Sequence, residues 1–466
     1  MEFRDYIDSP CELRFIFDNL ELMSSYGRQM LLNKKFMVTK GEIEREYSTL
    51  KETYSTLYES SSPHSSALLA SVKHRLMCLR DIEFTLNRLS ESMIMDEIDL
   101  FEIKYLSLLA SAVRKDIKAL SINGIDIPDL EEVTAILDPD GVRSESFYIY
   151  DSYSKELSEV RKNLKSICSL KSNGREYDQE LELELLTKEK VLEGEVREAL
   201  SKKLKEFANN LKEGLKALGD LDILLAKALQ IKTLNLTFPK ISEDGRTIYK
   251  GMFHPYIVDL YKNGIVGGKE RVFIPIDIDF NLESICLIGA NMGGKSVVLK
   301  MLSLNQLLFQ FGFGVAASEA TIDIKEGVEI CIESKEDMMN GYSSFASDIL
   351  RIDKMIGKVL DGQRLLVVVD EPARTTNPIE GTVFVSSLLK LLENKPFSLI
   401  LTTHYNVKGE LFRRFRVNGL KEGKMDYRLS ETSDSEIPQE AINVAYELKV
   451  NKDWISLAKK ELDNIE

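Results

Sequence analysis

The stretch Gly289-Ala290-Asn291-Met292-Gly293-Gly294-Lys295-Ser296 follows directly on the apolar run 285–288 and leads into a helix-like segment, 297–309. A buried strand, a G-x-x-x-x-G-K-S turn and a helix in that order constrain this part of the chain to an α/β fold with a phosphate-binding loop. The glycines let successive backbone N–H groups curl around a polyphosphate, and the helix adds its positive amino-terminal end. Lys295 supplies a mobile cation, and the Ser296 hydroxyl is of the type that takes a place on Mg²⁺. The expected contacts of a nucleoside triphosphate are therefore Gly289 to Gly294, Lys295, Ser296 and Val297.

Two further apolar strands end in chemistry. The run 364–369, Arg-Leu-Leu-Val-Val-Val, closes in Asp370-Glu371. A carboxylate at the end of a parallel strand lies where ligands of open sheets collect. Asp370 is the candidate second Mg²⁺ residue beside Ser296, and Glu371 the candidate base that polarises water. The run 398–403 closes in His404, one of four histidines in the chain. An imidazole at that strand end can sense a γ-phosphate and fix a water.

Before residue 235 the pattern is helical, with apolar residues three and four apart in segments such as 68–89 and 100–120. Breakers at 60–63, 124–128 and 138–141 divide these helices. From 241 onward short β-branched runs alternate with Gly and Pro turns. The expected division is a helical domain, 1–235, and an ATPase domain, 236–466. The chain has 466 residues and a formal net charge of −14, which opposes a general electrostatic attraction to nucleic acid. Its five cysteines, Cys11, Cys78, Cys168, Cys286 and Cys331, lack metal-ligand spacing, as expected of free thiols in a reducing compartment. The amino terminus lacks a signal-peptide core and no run has membrane-spanning length. A cytoplasmic protein without a membrane partner is expected.

These pieces together resemble the MutS ATPases of the ABC superfamily. The Asn291-Met292-Gly293-Gly294 core resembles that family's phosphate loop, and 337–345, Asp-Met-Met-Asn-Gly-Tyr-Ser-Ser-Phe, resembles its signature segment. Asp370-Glu371 and Thr402-Thr403-His404-Tyr405 resemble its acidic motif and its switch histidine. Phe253-His254-Pro255 resembles the lead-in to the ATPase domain, and residues 215–226 resemble the lever helix. Val272-Phe273-Ile274-Pro275 resembles the segment whose aromatic ring stacks on adenine. The resemblance implies an ABC-type ATPase domain, a mixed sheet flanked by helices, preceded by an all-α core and lever domain. It implies ATP and Mg²⁺ as cofactors, Lys295, Glu371 and His404 as catalytic residues, and Phe273 and Ile274 at the base. It also implies a homodimer in which Asn340, Gly341, Ser343 and Ser344 face the partner's nucleotide, closed by a helix-turn-helix at about 438–466. Departures stand at Asn340, where the family has Ser or Thr, at Tyr342, where it has a basic residue, and in the run Ala373-Arg374-Thr375-Thr376-Asn377-Pro378, where it has Gly-Arg-Gly-Thr-Ser-Thr.

What the family uses on DNA is missing from the sequence. No Phe-x-Glu, the mismatch wedge, occurs in the chain. The place of the DNA clamp, about 166–200, is short, and residues 176–198 hold nine acids against three bases. A clamp on phosphates needs the opposite sign. The nuclease-like domain that closes a second branch of the family is also expected to be absent. Two roles follow from the resemblance: an ATP-driven remodeller of a protein client, such as the truncated relatives associated with reactivating aminomutases, or a MutS-like protein acting on DNA. A structural dimer with a vestigial site is opposed by the intact Lys295, Ser296, Asp370, Glu371 and His404.

Overall fold

The computed structural model describes residues 1–59, 63–173, 175–265, 272–289, 294–332, 344–374, 376–405, 407, 412–421, 424–432 and 450–463. Its helices are, in chain order, α1 (Leu13–Asp18), α2 (Ser25–Leu32), α3 (Lys40–Tyr54), α4 (Pro63–Leu76), α5 (Glu83–Ser90), α6 (Glu97–Ala119), α7 (Glu131–Leu137) and α8 (Lys155–Ser172). There follow α9 (Gln179–Lys205), α10 (Ala208–Thr233), α11 (Pro255–Lys262), α12 (Lys295–Gln310), α13 (Ser344–Leu360), α14 (Pro378–Leu391) and α15 (Lys452–Asp463). The strands are β1 (Lys240–Ile241), β2 (Thr247–Met252), β3 (Ile276–Phe280), β4 (Ser284–Ile288) and β5 (Glu319–Ile322). The remainder are β6 (Gly327–Cys331), β7 (Leu365–Val369), β8 (Ser398–Thr402), β9 (Arg413–Lys421) and β10 (Lys424–Glu431).

The chain divides into two compact units. The sheet unit holds Met1–Glu21, Leu32–Lys51 and Lys227–Glu466, and the helical unit holds Leu22–Leu31 and Glu52–Ala226. This differs from the single boundary near 235 that composition leads one to expect, because most of the first 51 residues belong with the sheets. The reason is packing. Phe3 lies edge-on to Phe311 at 5.1 Å and against Phe313 at 5.7 Å. Tyr47 donates its hydroxyl to the Phe313 carbonyl at 2.6 Å. The buried Lys227 ammonium joins Glu46 at 2.7 Å and the Phe311 carbonyl at 2.8 Å.

Two sheets build the sheet unit. One has the order β1-β5-β2-β3, and the other β10-β9-β4-β8-β7-β6. In the second, β9, β4, β8, β7 and β6 are mutually parallel and only the β9–β10 pair is antiparallel. The runs read from sequence become its centre: all five residues of β7 and all five of β8 are buried, as strands covered on both faces require. α12 is buried along nearly its whole length, polar residues included. Those polar groups are bonded inside: the Gln310 amide reaches the Met37 and Lys325 carbonyls at 2.7 and 2.6 Å, and Asn305 accepts from Ala316 N at 2.6 Å.

In the helical unit, α6 begins with a reciprocal cap. Asp96 accepts from the N–H groups of Ile98 and Asp99, and the Asp99 side chain accepts from Asp96 N. Lys104 of α6 is buried and bonds Asp138, Tyr150 and the Ser146 carbonyl at 3.2, 2.9 and 3.0 Å. The periodic run 68–89 is not one helix: α4 ends at Leu76, α5 starts at Glu83, and the buried Leu79 and Ile82 lie in the connection. A helical period in sequence cannot distinguish one helix from two whose apolar faces meet the same core. Among the described residues no helix is long and apolar enough to cross a membrane. Cys11, Cys286 and Cys331 are buried free thiols, and burial pushes the Cys11 thiol up to about 11.

His254, before Pro255 at the start of α11, is 1% exposed and neither ring nitrogen has a hydrogen-bond partner in the structure. Burial, with Lys300 nearby, pushes its imidazole down to about 3. The unfolded chain takes up this proton near the ordinary value of ~6.5 and the folded chain does not. Its contribution to stability is therefore complete above that value and lost as pH falls toward 3. Between pH 6.5 and 5 the loss should be on the order of 1–2 kcal/mol, and His254→Asn should remove it. Denaturant melts of both proteins at the two pH values measure the difference; equal slopes would refute it.

Candidate functional site

Three neighbouring strands bring their carboxyl ends to one place. β8 lies between β4 and β7; β4 delivers Gly289, β7 delivers Asp370 and Glu371, and β8 delivers Thr402, Thr403 and His404. Gly289 has φ 147, and a Cβ there would meet the Val417 carbonyl oxygen at 3.2 Å. The backbone leaves β4 in a conformation that favours glycine. Gly294 has φ 89 and occupies the cap position of α12 without a side-chain hydrogen bond to the first turn. The cap residue itself thus brings no side chain over the first turn of α12, which leaves room for a phosphate at the helix start.

Lys295 opens α12 and is only 4% exposed. Its ammonium donates to the Gly289 carbonyl at 2.9 Å and lies 3.5 Å from the Glu371 carboxylate. Phosphate-loop lysine and candidate base are thus in contact. Asp370 is held by Thr402, whose hydroxyl donates to Oδ1 at 2.6 Å. The same Thr402 oxygen accepts from Glu371 N at 2.8 Å. One hydroxyl therefore sets the positions of both acids, a role that the sequence motif did not single out. Its signal was present, since Thr402 directly precedes Thr403-His404. Ser296 and Val297 are half-buried in the first turn of α12.

The turn after β7 is strained. Glu371 has φ 45 and Ala373 has φ 60, left-handed backbone that costs a non-glycine residue of order 1 kcal/mol and concentrates at functional sites. Tyr405 straps this turn to β8 by donating its hydroxyl to the Ala373 carbonyl at 2.6 Å. Gly381 of α14 makes room for the ring, because a Cβ there would stand 2.2 Å from it. His404 is half-buried, and its Nδ1 has no hydrogen-bond partner in the structure. Burial lowers its pKa, Glu371 opposes the shift, and Lys295 and Arg374 reinforce it. Its unpartnered Nδ1 is buried, and the lowered pKa favours the uncharged ring.

The resemblance implies that Phe273 and Ile274 lie at the base. Phe273 is buried and stacks on Tyr427 of β10, ring centroids 5.0 Å apart and planes at 21°. Ile274 beside it is half-buried. Ala290, Asn291, Met292, Gly293, Asn340, Gly341 and Ser343 lie outside the described residues, as does the side chain of Ser344. Of the helix-turn-helix, residues 438–449 and 464–466 also lie outside them; α15 is described, with Ile455 buried and Trp454 and Leu457 exposed.

The arrangement unites, at one sheet edge, a helix start capped by glycine, a buried lysine, two acids aligned by a threonine and a half-buried histidine. Such a set can bind a polyphosphate and polarise a water beside it. Comparison with known proteins bears on the same region. Residues 285–451 match the family model MutS domain V. The chain is 30% identical over 226 residues to Endonuclease MutS2 of Clostridium tetani, covering 48% of this chain and 27% of that protein. It is 29% identical over 208 residues to Endonuclease MutS2 of Exiguobacterium sibiricum, covering 44% and 25%. It is 28% identical over 232 residues to the DNA mismatch repair protein MutS of Thermus thermophilus, covering 50% and 27%. The matches thus span about a quarter of the length of these relatives. Residues 285–451 are the part of this chain that matches MutS domain V, and the similarity to MutS2 and MutS supports the MutS family.

Proposed function

We propose that the chain is a MutS-like ATPase that binds Mg-ATP and hydrolyses it as a switch within a homodimer, remodelling a protein client without reading mismatches. The observation that carries the ATPase part is the contact of Lys295 with Gly289 and Glu371 beside the Thr402-aligned Asp370. An arriving triphosphate competes with Glu371 for the Lys295 ammonium. Glu371 is then released to accept a proton from water, while His404 beside it steadies that water. Ser296 and Asp370 would hold Mg²⁺, which would supply charge neutralisation beside the phosphates. Asn340, Gly341, Ser343 and Ser344 complete the site of the partner chain, and Phe273 and Ile274 flank the base.

A protein client is favoured over DNA by the sign of charge in 176–198, where nine acids stand against three bases. Glu180, Glu184, Glu195 and Glu198 of α9 are exposed there. The second reading, a MutS-like protein acting on DNA, is favoured by the relatives' printed names, Endonuclease MutS2 and DNA mismatch repair protein MutS. An anisotropy titration at fixed salt separates the two. Matched and mismatched duplexes should bind equally and weakly, with Kd on the order of 10⁻⁵ M or above. Tight binding to a mismatch or a branch, accompanied by faster hydrolysis, would establish the second reading instead.

A further inference from the structure

α9 buries one face on the core of the helical unit through Leu192, Val196, Leu200 and Leu204. On a helical projection at 100° per residue, Glu180, Glu184, Thr187, Val191, Gly194, Glu198, Lys202 and Lys205 fall within about 80° of arc, centred opposite that buried face. Thr187, Val191 and the five charged residues are exposed. A Cβ built on Gly194 would meet nothing within 4 Å.

The two ends of this bare stripe differ in sign and share apolar surface. At the amino-terminal end Glu180 and Glu184 are accompanied by exposed Leu181, Leu183 and Leu186, Leu183 being 67% exposed. The neighbouring Glu182, Glu189 and Glu193 are engaged by Lys171 and Arg161. At the carboxyl-terminal end Lys202 and Lys205 are accompanied by the segment before α6. That segment runs beside α9: Lys205 Nζ meets Ser92 Oγ at 2.5 Å, Ser201 Oγ accepts from Met95 N at 2.9 Å, and Arg197 lies 3.8 Å from Glu97. Together with the first turn of α6 it exposes Met93, Ile94 and Ile98, the last by 70%.

We propose that this stripe docks a second copy of the chain, the two α9 helices antiparallel about a two-fold axis between Val191 and Gly194. With Val191 of one copy opposite Gly194 of the other, Glu180 faces Lys205 and Glu184 faces the turn of Lys202, each pair occurring twice. The exposed Leu183, which borders the stripe at one end of each helix, then meets Met93, Ile94 and Ile98 of the other copy. Glycine at the crossing lets the helices approach closely. This is an isologous contact, closed by its own symmetry, and it takes no part in the nucleotide site. Its failure would leave the ATPase reading untouched, and failure of that reading would leave this contact standing.

The test is charge exchange, followed by light scattering of the full chain without nucleotide. Wild type should be dimeric at micromolar concentration. The pair Glu180→Lys with Glu184→Lys should weaken association by at least about tenfold, as should the pair Lys202→Glu with Lys205→Glu. An equimolar mixture of the two double variants should recover the dimer, because each supplies the charges the other lacks. A nucleotide-free monomer, a dimer indifferent to both variants, or a mixture that stays dissociated would each overturn the proposal. If either variant misfolds, chains carrying Cys168→Ser with Val191→Cys are mixed with chains carrying Cys168→Ser with Gly194→Cys. Mild oxidation should join one of each, and absence of that disulfide-linked species would overturn it as well.

Discussion

Lys295→Ala is expected to lower ATP turnover by about 10²–10³-fold and to weaken ATP binding at the same time. The ammonium is buried among the Gly289 carbonyl and the Glu371 carboxylate, so little water can replace it when it is removed. A cation held in a dry site beside a transferring phosphoryl group stabilises the charge that builds there. Truncation also leaves Glu371 without its neighbouring cation, raising the cost of bringing a polyanion close. Phosphate release at saturating ATP and a fluorescent-nucleotide titration read the two effects separately. Wild-type turnover would show that the lysine is not the phosphate-loop cation.

Glu371→Gln should separate binding from chemistry. The amide keeps the size of the side chain, and the backbone bond from residue 371 to the Thr402 hydroxyl does not depend on the side chain. ATP affinity should therefore remain within about threefold of wild type, while turnover falls by roughly 10²–10³-fold, the loss typical of a missing general base. Because this variant holds ATP without consuming it, it is also the form in which a composite nucleotide site should persist. Light scattering with saturating Mg-ATP should show a dimer even when the α9 charge variants have removed nucleotide-free association. A strict monomer in that combined variant would exclude the composite site.

The strands that carry the candidate site were legible because each is a short β-branched run with a reactive residue at its end. The chain 365–369 ending in Asp370, and 398–402 ending near His404, stand as strands of one parallel sheet. Contacts between distant segments were less legible. Nothing near Phe273 announces Tyr427, which meets it only because β10 returns beside the sheet. The strain at Glu371 and Ala373 has no signature, since neither residue type calls for a positive φ. Helical periodicity placed 1–51 with the helices after it, whereas Phe3, Glu46 and Tyr47 take their partners from residues beyond 225. Periodicity records that a face is buried and carries no label for the core that buries it.

That last feature governs how the protein can be dissected. A fragment starting at 236 would contain every residue of the candidate site, yet it would lack Lys227, Glu46 and the aromatic rings of Phe3, Tyr6 and Phe36 that pack on Phe311 and Phe313. The two phenylalanines and the carbonyls behind them would open to solvent at the far end of α12, whose first residue is Lys295. The smallest autonomous piece of this chain that holds the candidate site is therefore discontinuous. It needs an amino-terminal peptide of some fifty residues rejoined to the carboxyl-terminal half, by a linker in place of the helical unit or by co-expression of the two parts.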